Sequence, residues 1–182
     1  LRRKHKGEIE AAGGTLSLTV FLLKAAAAAL KAFPRFNAVL DTDSEEILLK
    51  RFYHIGVAVD TDRGLIVPVI RDVDRKSITE LARELRSLAQ KTREGKAGRE
   101  DMTEGTFTIT NVGALGGTGM SPIINYPQVA ILGTARARLQ PVVRGDLDRY
   151  EIVPRLILPL VLTFDHRVLD GEMGARFLND VA

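Results

Sequence analysis

From Ser77 onward the chain commits to a helix. Ile78, Leu81, Ala82, Leu85, Leu88 and Ala89 recur at helical spacing. Ser77 with Glu80 makes a capping box, which satisfies backbone N–H groups that a helix start leaves open. The pattern runs out near Gly95. A helix with one apolar stripe has to bury it against another element, and the flanking segments supply strands for that purpose. Glu46 to Arg51, Tyr53 to Asp60, Leu65 to Ile70, Thr106 to Thr110, Val129 to Thr134 and Ile157 to Phe164 all read as strands. Pro68 marks an edge or a bulge, and Thr61-Asp62-Arg63-Gly64 predicts a hairpin turn. Further helices are predicted over Leu1 to Ala12, Ser17 to Phe33 and Glu172 to Val181. The second of these is rich in alanine and leucine and is ended by Pro34; Lys24 and Lys31 share one face, so the remainder is expected to be buried. Helices and strands mixed in this order fit a layered sheet-and-helix domain without internal repeats.

With 182 residues and 45% hydrophobic content, the chain is long enough for one well-buried core, and we read it as a single domain. It has no cysteine and three histidines, His5, His54 and His166. A cysteine nucleophile is therefore excluded, as is a thiolate or multi-histidine zinc site, and no metal is expected. The net charge of +3 favours anionic ligands only mildly. Aromatic residues make up 5% and the basic residues are dispersed apart from Arg2, Arg3, Lys4, His5 and Lys6, so nucleic acid is not expected as a partner. The run Leu16 to Ala32 is interrupted by Lys24 and Lys31, and no secretory signal is visible; neither export nor membrane insertion is indicated. The sequence begins inside a charged helical pattern and stops inside another, which reads as a fragment truncated at both ends.

The segment Gly113-Ala114-Leu115-Gly116-Gly117-Thr118-Gly119 lacks the lysine of a phosphate loop and the Gly-x-Gly-x-x-Gly spacing of a dinucleotide fold. Pro122 and a β-branched run follow where a phosphate site needs a helix start, so a tight reversal is the better reading. It leaves directly from Thr110 and Asn111, two polar residues at the end of an otherwise apolar strand.

Near the C-terminus, Thr163-Phe164-Asp165-His166-Arg167-Val168-Leu169-Asp170-Gly171 joins a lone histidine to an aspartate four residues on. The apolar stretch Leu156 to Phe164 before it reads as a buried strand, so His166 emerges at a strand end, where loops carry chemistry. Taken alone, such a pair also fits a histidine satisfied in a turn. The surrounding blocks weigh against that. Phe164 to Gly171 resembles the active-site signature of the dihydrolipoamide acyltransferases, the core enzymes of the 2-oxo acid dehydrogenase complexes. The resemblance extends through Phe36-Asn37-Ala38, Ile55 to Thr61, Gly64 to Ile70, Gly105 to Gly113 and Pro122-Ile123-Ile124-Asn125 leading to Val129 to Gly133.

That resemblance implies acyl transfer from S-acyl-dihydrolipoamide to coenzyme A, with an acetyl group favoured because Asp72-Val73-Asp74-Arg75-Lys76-Ser77 looks like the pyruvate branch. It implies His166 as general base, Thr110 as oxyanion donor, and Asp170 as a loop anchor acting through an arginine. Arg2, Ser17, Asp60 and Asn111 stand at positions resembling coenzyme A contacts. The fold implied is a two-layer α/β (α+β) sandwich, a mixed β-sheet flanked by helices, similar to chloramphenicol acetyltransferase. The family resemblance further implies a homotrimer with His166 and Thr110 on opposite sides of a subunit interface, building a 24- or 60-subunit core. Lipoyl and subunit-binding domains are expected upstream, the latter holding decarboxylase and dihydrolipoamide dehydrogenase components. The expected setting is the cytoplasm, or the mitochondrial matrix in a eukaryote. A branched-chain acyltransferase, a free-standing acetyltransferase and an inactive core of the same fold are the alternatives.

Overall fold

The computed structural model describes residues 2–113 and 116–182, with side chains from His5 onward. Helices α1 (Arg2–Ala11) and α2 (Leu18–Ala32) come first, followed by a single 3-10 turn, Pro34–Phe36. Strands β1 (Ala38–Asp41) and β2 (Glu46–Leu49) form a hairpin. Next come β3 (Ile55–Val57), β4 (Val59–Thr61), β5 (Gly64–Ile66) and β6 (Val69–Ile70), then α3 (Ile78–Arg93). The chain finishes with β7 (Phe107–Asn111), β8 (Ala130–Thr134), β9 (Arg138–Gly145), β10 (Tyr150–Ile157), β11 (Leu160–Phe164) and α4 (Gly171–Val181).

Five strands form a mixed sheet in the order β11-β8-β7-β3-β6. β3, β7 and β8 run parallel, and the two edge strands are antiparallel to them. The helices form the second layer, with α2 over β7 and flanked by α3 and α4, and α4 reaching β11. Alanine explains why α2 takes the middle position: Ala26, Ala27 and Ala29 are buried, and their small side chains let neighbouring elements approach closely. Lys24 and Lys31 do lie on the polar side. Lys24 Nζ donates to the carbonyls of Val73, Asp74 and Lys76 at 3.4, 3.1 and 2.8 Å, tying down the loop that leads into α3. The capping box of α3 forms as expected, with Glu80 N donating to Ser77 Oγ at 3.2 Å and Ser77 N to Glu80 Oε2 at 2.7 Å.

Three sequence expectations change. Tyr53 to Asp60 is two strands, and so is Leu65 to Ile70, because Val57 N bonds Pro68 O at 2.9 Å while β4 and β5 leave to pair with each other. The stretch Leu156 to Phe164 is not one buried strand. β10 ends at Ile157, Pro159 offers no N–H to continue the ladder, and β11 is a half-buried edge strand. Strands β1 and β9 and nearly all of β10, which the sequence pattern did not reveal, complete the two outer hairpins. The glycine segment forms the expected reversal at its described residues, with Gly116 at φ +93° and Gly117 N bonded to Val112 O at 3.3 Å.

Candidate active site

The loop between β11 and α4 is held from both sides. Asp165 N donates to Val129 O at 2.8 Å, carrying the strand pairing one residue further, and Asp165 O accepts from Val168 N and Leu169 N at 3.0 Å each. Its carboxylate takes the Arg167 backbone N–H at 3.0 Å and the guanidinium at 2.7 Å through Nη2, with Nε at 3.0 and 3.2 Å. These hydrogen bonds from Arg167 hold the Asp165 carboxyl below the usual carboxylate range. Val168 and Leu169 bury their side chains in the core. His166, between these anchors, projects to solvent with its ring centroid 5.7 Å from that of Phe164.

Phe164 belongs to an aromatic series: it meets Phe36 at 6.4 Å, Phe36 stacks on Phe177 at 4.4 Å, and Phe177 meets Phe107 at 5.7 Å. The ring fits only because residue 174 is glycine, since a Cβ there would lie 2.8 Å from Phe164 Cε1. The base candidate is thus packed, through one aromatic neighbour, against the middle of the fold.

Asp170 is the N-cap of α4 and its Oδ1 accepts from Met173 N at 2.9 Å. The expected arginine partner is not seen: among the described residues Asp170 makes no ion pair, and the charged clasp of this loop is Asp165 with Arg167. A short acidic side chain directly before a helix satisfies the first turn of N–H groups, and that is its work within this chain.

Thr110 sits in β7, nearly buried, beside Gly133 of β8. A Cβ on Gly133 would lie 2.7 Å from Met120 Sδ and 3.2 Å from Pro122, so the missing side chain lets that segment close over the sheet next to Thr110. Thr110 Oγ1 makes no hydrogen bond among the described residues and is free to donate. Asn111, exposed, folds its Oδ1 onto Gly113 N at 2.8 Å. Asp60, also exposed, leaves the same end of the sheet in β4, just after Ala58 N bonds Ile109 O at 3.0 Å.

Within one chain, Thr110 and His166 are far apart. Thr110 is level with Gly133, whereas Phe164 is level with Ala130 and His166 continues beyond it. About five residue steps along the strands and two strand spacings across them separate the pair by roughly 19 Å. The structure gathers Thr110, Asn111 and Asp60 at one end of the sheet and places His166 with Asp170 at the other.

Ser17 caps α2 without a side-chain bond, and its Oγ is buried with no partner among the described residues. It faces a pocket of about 300 Å³ bordered by Arg86 and Arg93, and Arg93 also borders a second pocket, of about 350 Å³, with Thr61 and Arg63. The sequence gives no signal for Arg63 beside Arg93, which lie 30 positions apart among many other cations. The side chain of Arg2 lies outside the described residues. Among those described, no group of three or more His, Asp or Glu is placed to hold a metal ion, and no helix is long and apolar enough to cross a membrane.

The 2-oxoacid dehydrogenases acyltransferase (catalytic domain) family matches residues 1–182, the whole length of the sequence. The chain belongs to this family. It is 48% identical over 179 residues, 98% of its length, to the dihydrolipoyllysine-residue acetyltransferase component of the pyruvate dehydrogenase complex of Haemophilus influenzae. It spans only 30% of that relative. Its structure superposes on the cubic core of a pyruvate dehydrogenase multienzyme complex with TM-score 0.94 at 45% identity, covering 99% of this chain and 72% of the other. It also matches a dihydrolipoamide acetyltransferase of Azotobacter vinelandii with TM-score 0.93 at 47% identity, covering 98% and 72%. That structure addressed the role of a serine, a histidine and an asparagine in the catalytic mechanism. Chloramphenicol acetyltransferase matches at TM-score 0.61 and 17% identity, covering 99% of this chain and 80% of the other, which shows the shared fold. The family member thus has the mixed-sheet, helix-layered architecture that its sequence implied.

Proposed function

We infer that this acyltransferase domain moves an acetyl group from S-acetyl-dihydrolipoamide to coenzyme A. The observation that carries the reading is the pair His166 and Asp170 on one clasped loop: in the Azotobacter relative the histidine and asparagine of the catalytic study are likewise four residues apart. The Haemophilus influenzae relative, named an acetyltransferase of the pyruvate dehydrogenase complex, supports the acetyl group. Two positions depart from that trio in residue type. Thr110 keeps the hydroxyl of a serine, and Asp170 keeps the capping oxygen of an asparagine.

The chemistry follows from what the residues offer. Neutral His166 takes the proton from the coenzyme A thiol, since the thiolate is the nucleophile. The thiolate forms a carbon–sulfur bond at the thioester carbonyl, and the tetrahedral oxyanion accepts a hydrogen bond from Thr110 Oγ1. Collapse breaks the bond to the dihydrolipoamide sulfur, which leaves as thiolate and takes the proton back from His166. Asp60, Asn111, Ser17 and Arg2 are proposed to hold coenzyme A. The unpartnered Ser17 Oγ beside Arg86 and Arg93 supports such a role, with a free hydroxyl and two cations suited to phosphate.

Because a separation of roughly 19 Å keeps Thr110 from His166 in one chain, the working site takes one residue from each of two copies, as in a homotrimer. Trimers would join into a 24- or 60-subunit core, with the lipoyl group, the decarboxylase and the dihydrolipoamide dehydrogenase reached through domains outside residues 1–182. The proposed setting is the bacterial cytoplasm, in line with the bacterial relatives. A coenzyme A-dependent assay on the full-length protein with acetyl-, succinyl- and isobutyryl-dihydrolipoamide tests the reading. Preferred turnover of the acetyl substrate is expected; no turnover of any of the three overturns it.

A further inference from the structure

The five-stranded sheet has two faces, and β7 divides its side chains between them. Phe107 and Ile109 join the hydrophobic core with α2, as do Ala130 and Leu132 of β8. Side chains alternate along a strand, so Thr108 and Thr110 stand on the other face, and the register puts Ile131 and Gly133 beside them there. Met120, Pro122 and Gln128, from the segment that joins β7 to β8, reach this face.

The two threonines differ in one respect. Thr108 Oγ1 donates to Gln128 Oε1 at 2.6 Å, whereas Thr110, only 9% exposed, has no side-chain hydrogen bond among the described residues. A nearly buried hydroxyl without a partner costs free energy, and a ligand oxygen that accepts from it recovers that cost.

The strand positions flanking Thr110 are both small. Gly133 is level with it on β8. On the other side Ala58 continues the register of β3 with β7, its N–H bonded to Ile109 O at 3.0 Å. Met120 closes the β8 flank. A Cβ on Gly133 would lie 2.7 Å from Met120 Sδ and 3.2 Å from its Cγ, so the thioether rests on the bare backbone of Gly133. Pro122 Cγ stands 3.2 Å from the same point and is buried.

Distance then identifies what Met120 meets. A carbonyl oxygen that accepts from Thr110 Oγ1 sits about 3 Å from it. The acyl carbon next to that carbonyl falls roughly 5 Å from the same hydroxyl, which is one strand spacing, the step from Thr110 to Gly133. An acyl group turned toward β8 therefore ends against the thioether. Methionine is unbranched and adaptable, suited to bounding a small apolar group.

We propose that Met120, seated over Gly133, is the wall that limits the size of the acyl group held at Thr110, and that it favours acetyl over branched acyl groups. The proposal rests on the acyl-transfer reading and adds to it the residue that sets acyl size.

The test compares kcat/KM for acetyl- and isobutyryl-dihydrolipoamide on the full-length protein. Met120→Ala is expected to raise the isobutyryl-to-acetyl ratio by about 10-fold or more, the discrimination an apolar pocket achieves per methylene, with the KM for coenzyme A unchanged. Met120→Leu, of similar volume, is expected to keep the wild-type ratio. Ile131→Ala loosens the same face but is level with Thr108, so its ratio is also expected to stay at the wild-type value. An unchanged ratio in folded Met120→Ala, or an equal rise in Ile131→Ala, overturns the proposal while leaving acyl transfer intact. A wild type that transfers neither acyl group overturns the acyl-transfer reading, and this proposal with it. If Met120→Ala does not fold, methyl NMR of the His166→Ala assembly labelled at its methionines decides. The Met120 signal, identified by its absence from a Met120→Leu version, is expected to shift when S-acetyl-dihydrolipoamide saturates the site; an unmoved signal overturns the proposal.

Discussion

Thr110 and His166 occupy opposite ends of one five-stranded sheet, Thr110 level with Gly133 of β8 and His166 beyond the pairing of Phe164 with Ala130. Backbone positions roughly 19 Å apart keep this hydroxyl and imidazole from acting together on one thioester within a single chain. Each end is nevertheless built with care: a threonine under a closed segment on one side, a histidine on a doubly anchored loop on the other.

Replacing His166 by alanine is expected to lower acyl transfer by about 100- to 10,000-fold, the usual consequence of losing a general base. Because His166 is exposed, thermal stability and assembly should be unchanged. A correctly assembled variant that keeps more than roughly a tenth of the wild-type turnover would sink the assignment.

Thr110→Ala should lose about 100- to 1,000-fold in turnover, while Thr110→Ser keeps most of it, since the hydroxyl is the donor. Reassembling Thr110→Ala with His166→Ala subunits should restore partial activity, because some interfaces then carry both intact residues. Verified hybrids as inactive as their parents would show that the two groups do not meet across an interface.

Asp170 acts in this chain as a helix cap, so Asp170→Ala should destabilise the fold by about 1 kcal/mol. Asp170→Asn, which retains the capping oxygen, should melt close to wild type. Equal melting of the alanine variant and wild type would argue that the bond to Met173 N contributes nothing.

The loop should weaken in acid. The Arg167 guanidinium holds the Asp165 carboxyl below its ordinary range, so the clasp contributes stability above the unfolded carboxyl's range and loses it as pH falls through the lowered folded value. Melting curves across acidic pH should therefore fall less steeply for Asp165→Asn than for wild type. Parallel curves would contradict the role given to this pair.

Gly174→Ala should push the Phe164 ring, since a Cβ there would sit 2.8 Å from Cε1. Overpacking of this kind costs about 1–3 kcal/mol. The displacement should reach His166 through its ring neighbour, lowering kcat with little change in the KM for coenzyme A. An unchanged kcat would show that Phe164 does not position the histidine.

Much of the layered fold was legible because its signals are local. The spacing Ile78, Leu81, Ala82, Leu85 follows one helix face, and Ser77 meets Glu80 within one turn. Strand limits were less legible. Tyr53 to Asp60 reads as one β-branched run, yet whether Ala58 pairs with Ile109 or continues toward β5 is settled by neighbours distant in sequence. Asp170 was recognisable as important by its place beside His166 and Gly171, but its partner was not. Asp165, one residue before the histidine, holds Arg167 where that side chain curls back across the turn. Arg63 comes beside Arg93 for a related reason, because α3 lies against the β4–β5 hairpin.

The sequence by itself determined the family, the four helices, the central strands of the sheet, and the identity of the base and hydroxyl candidates, because motifs and periodicities depend on residue type and short spacing alone. The tertiary structure decided where those groups stand. Parallel pairing of β7 with β8 and antiparallel pairing of β8 with β11 send the ends of β7 and β11 in opposite directions. Strand direction in a sheet is fixed by long-range pairing, so the folded chain was needed to show Thr110 and His166 at opposite ends of one sheet.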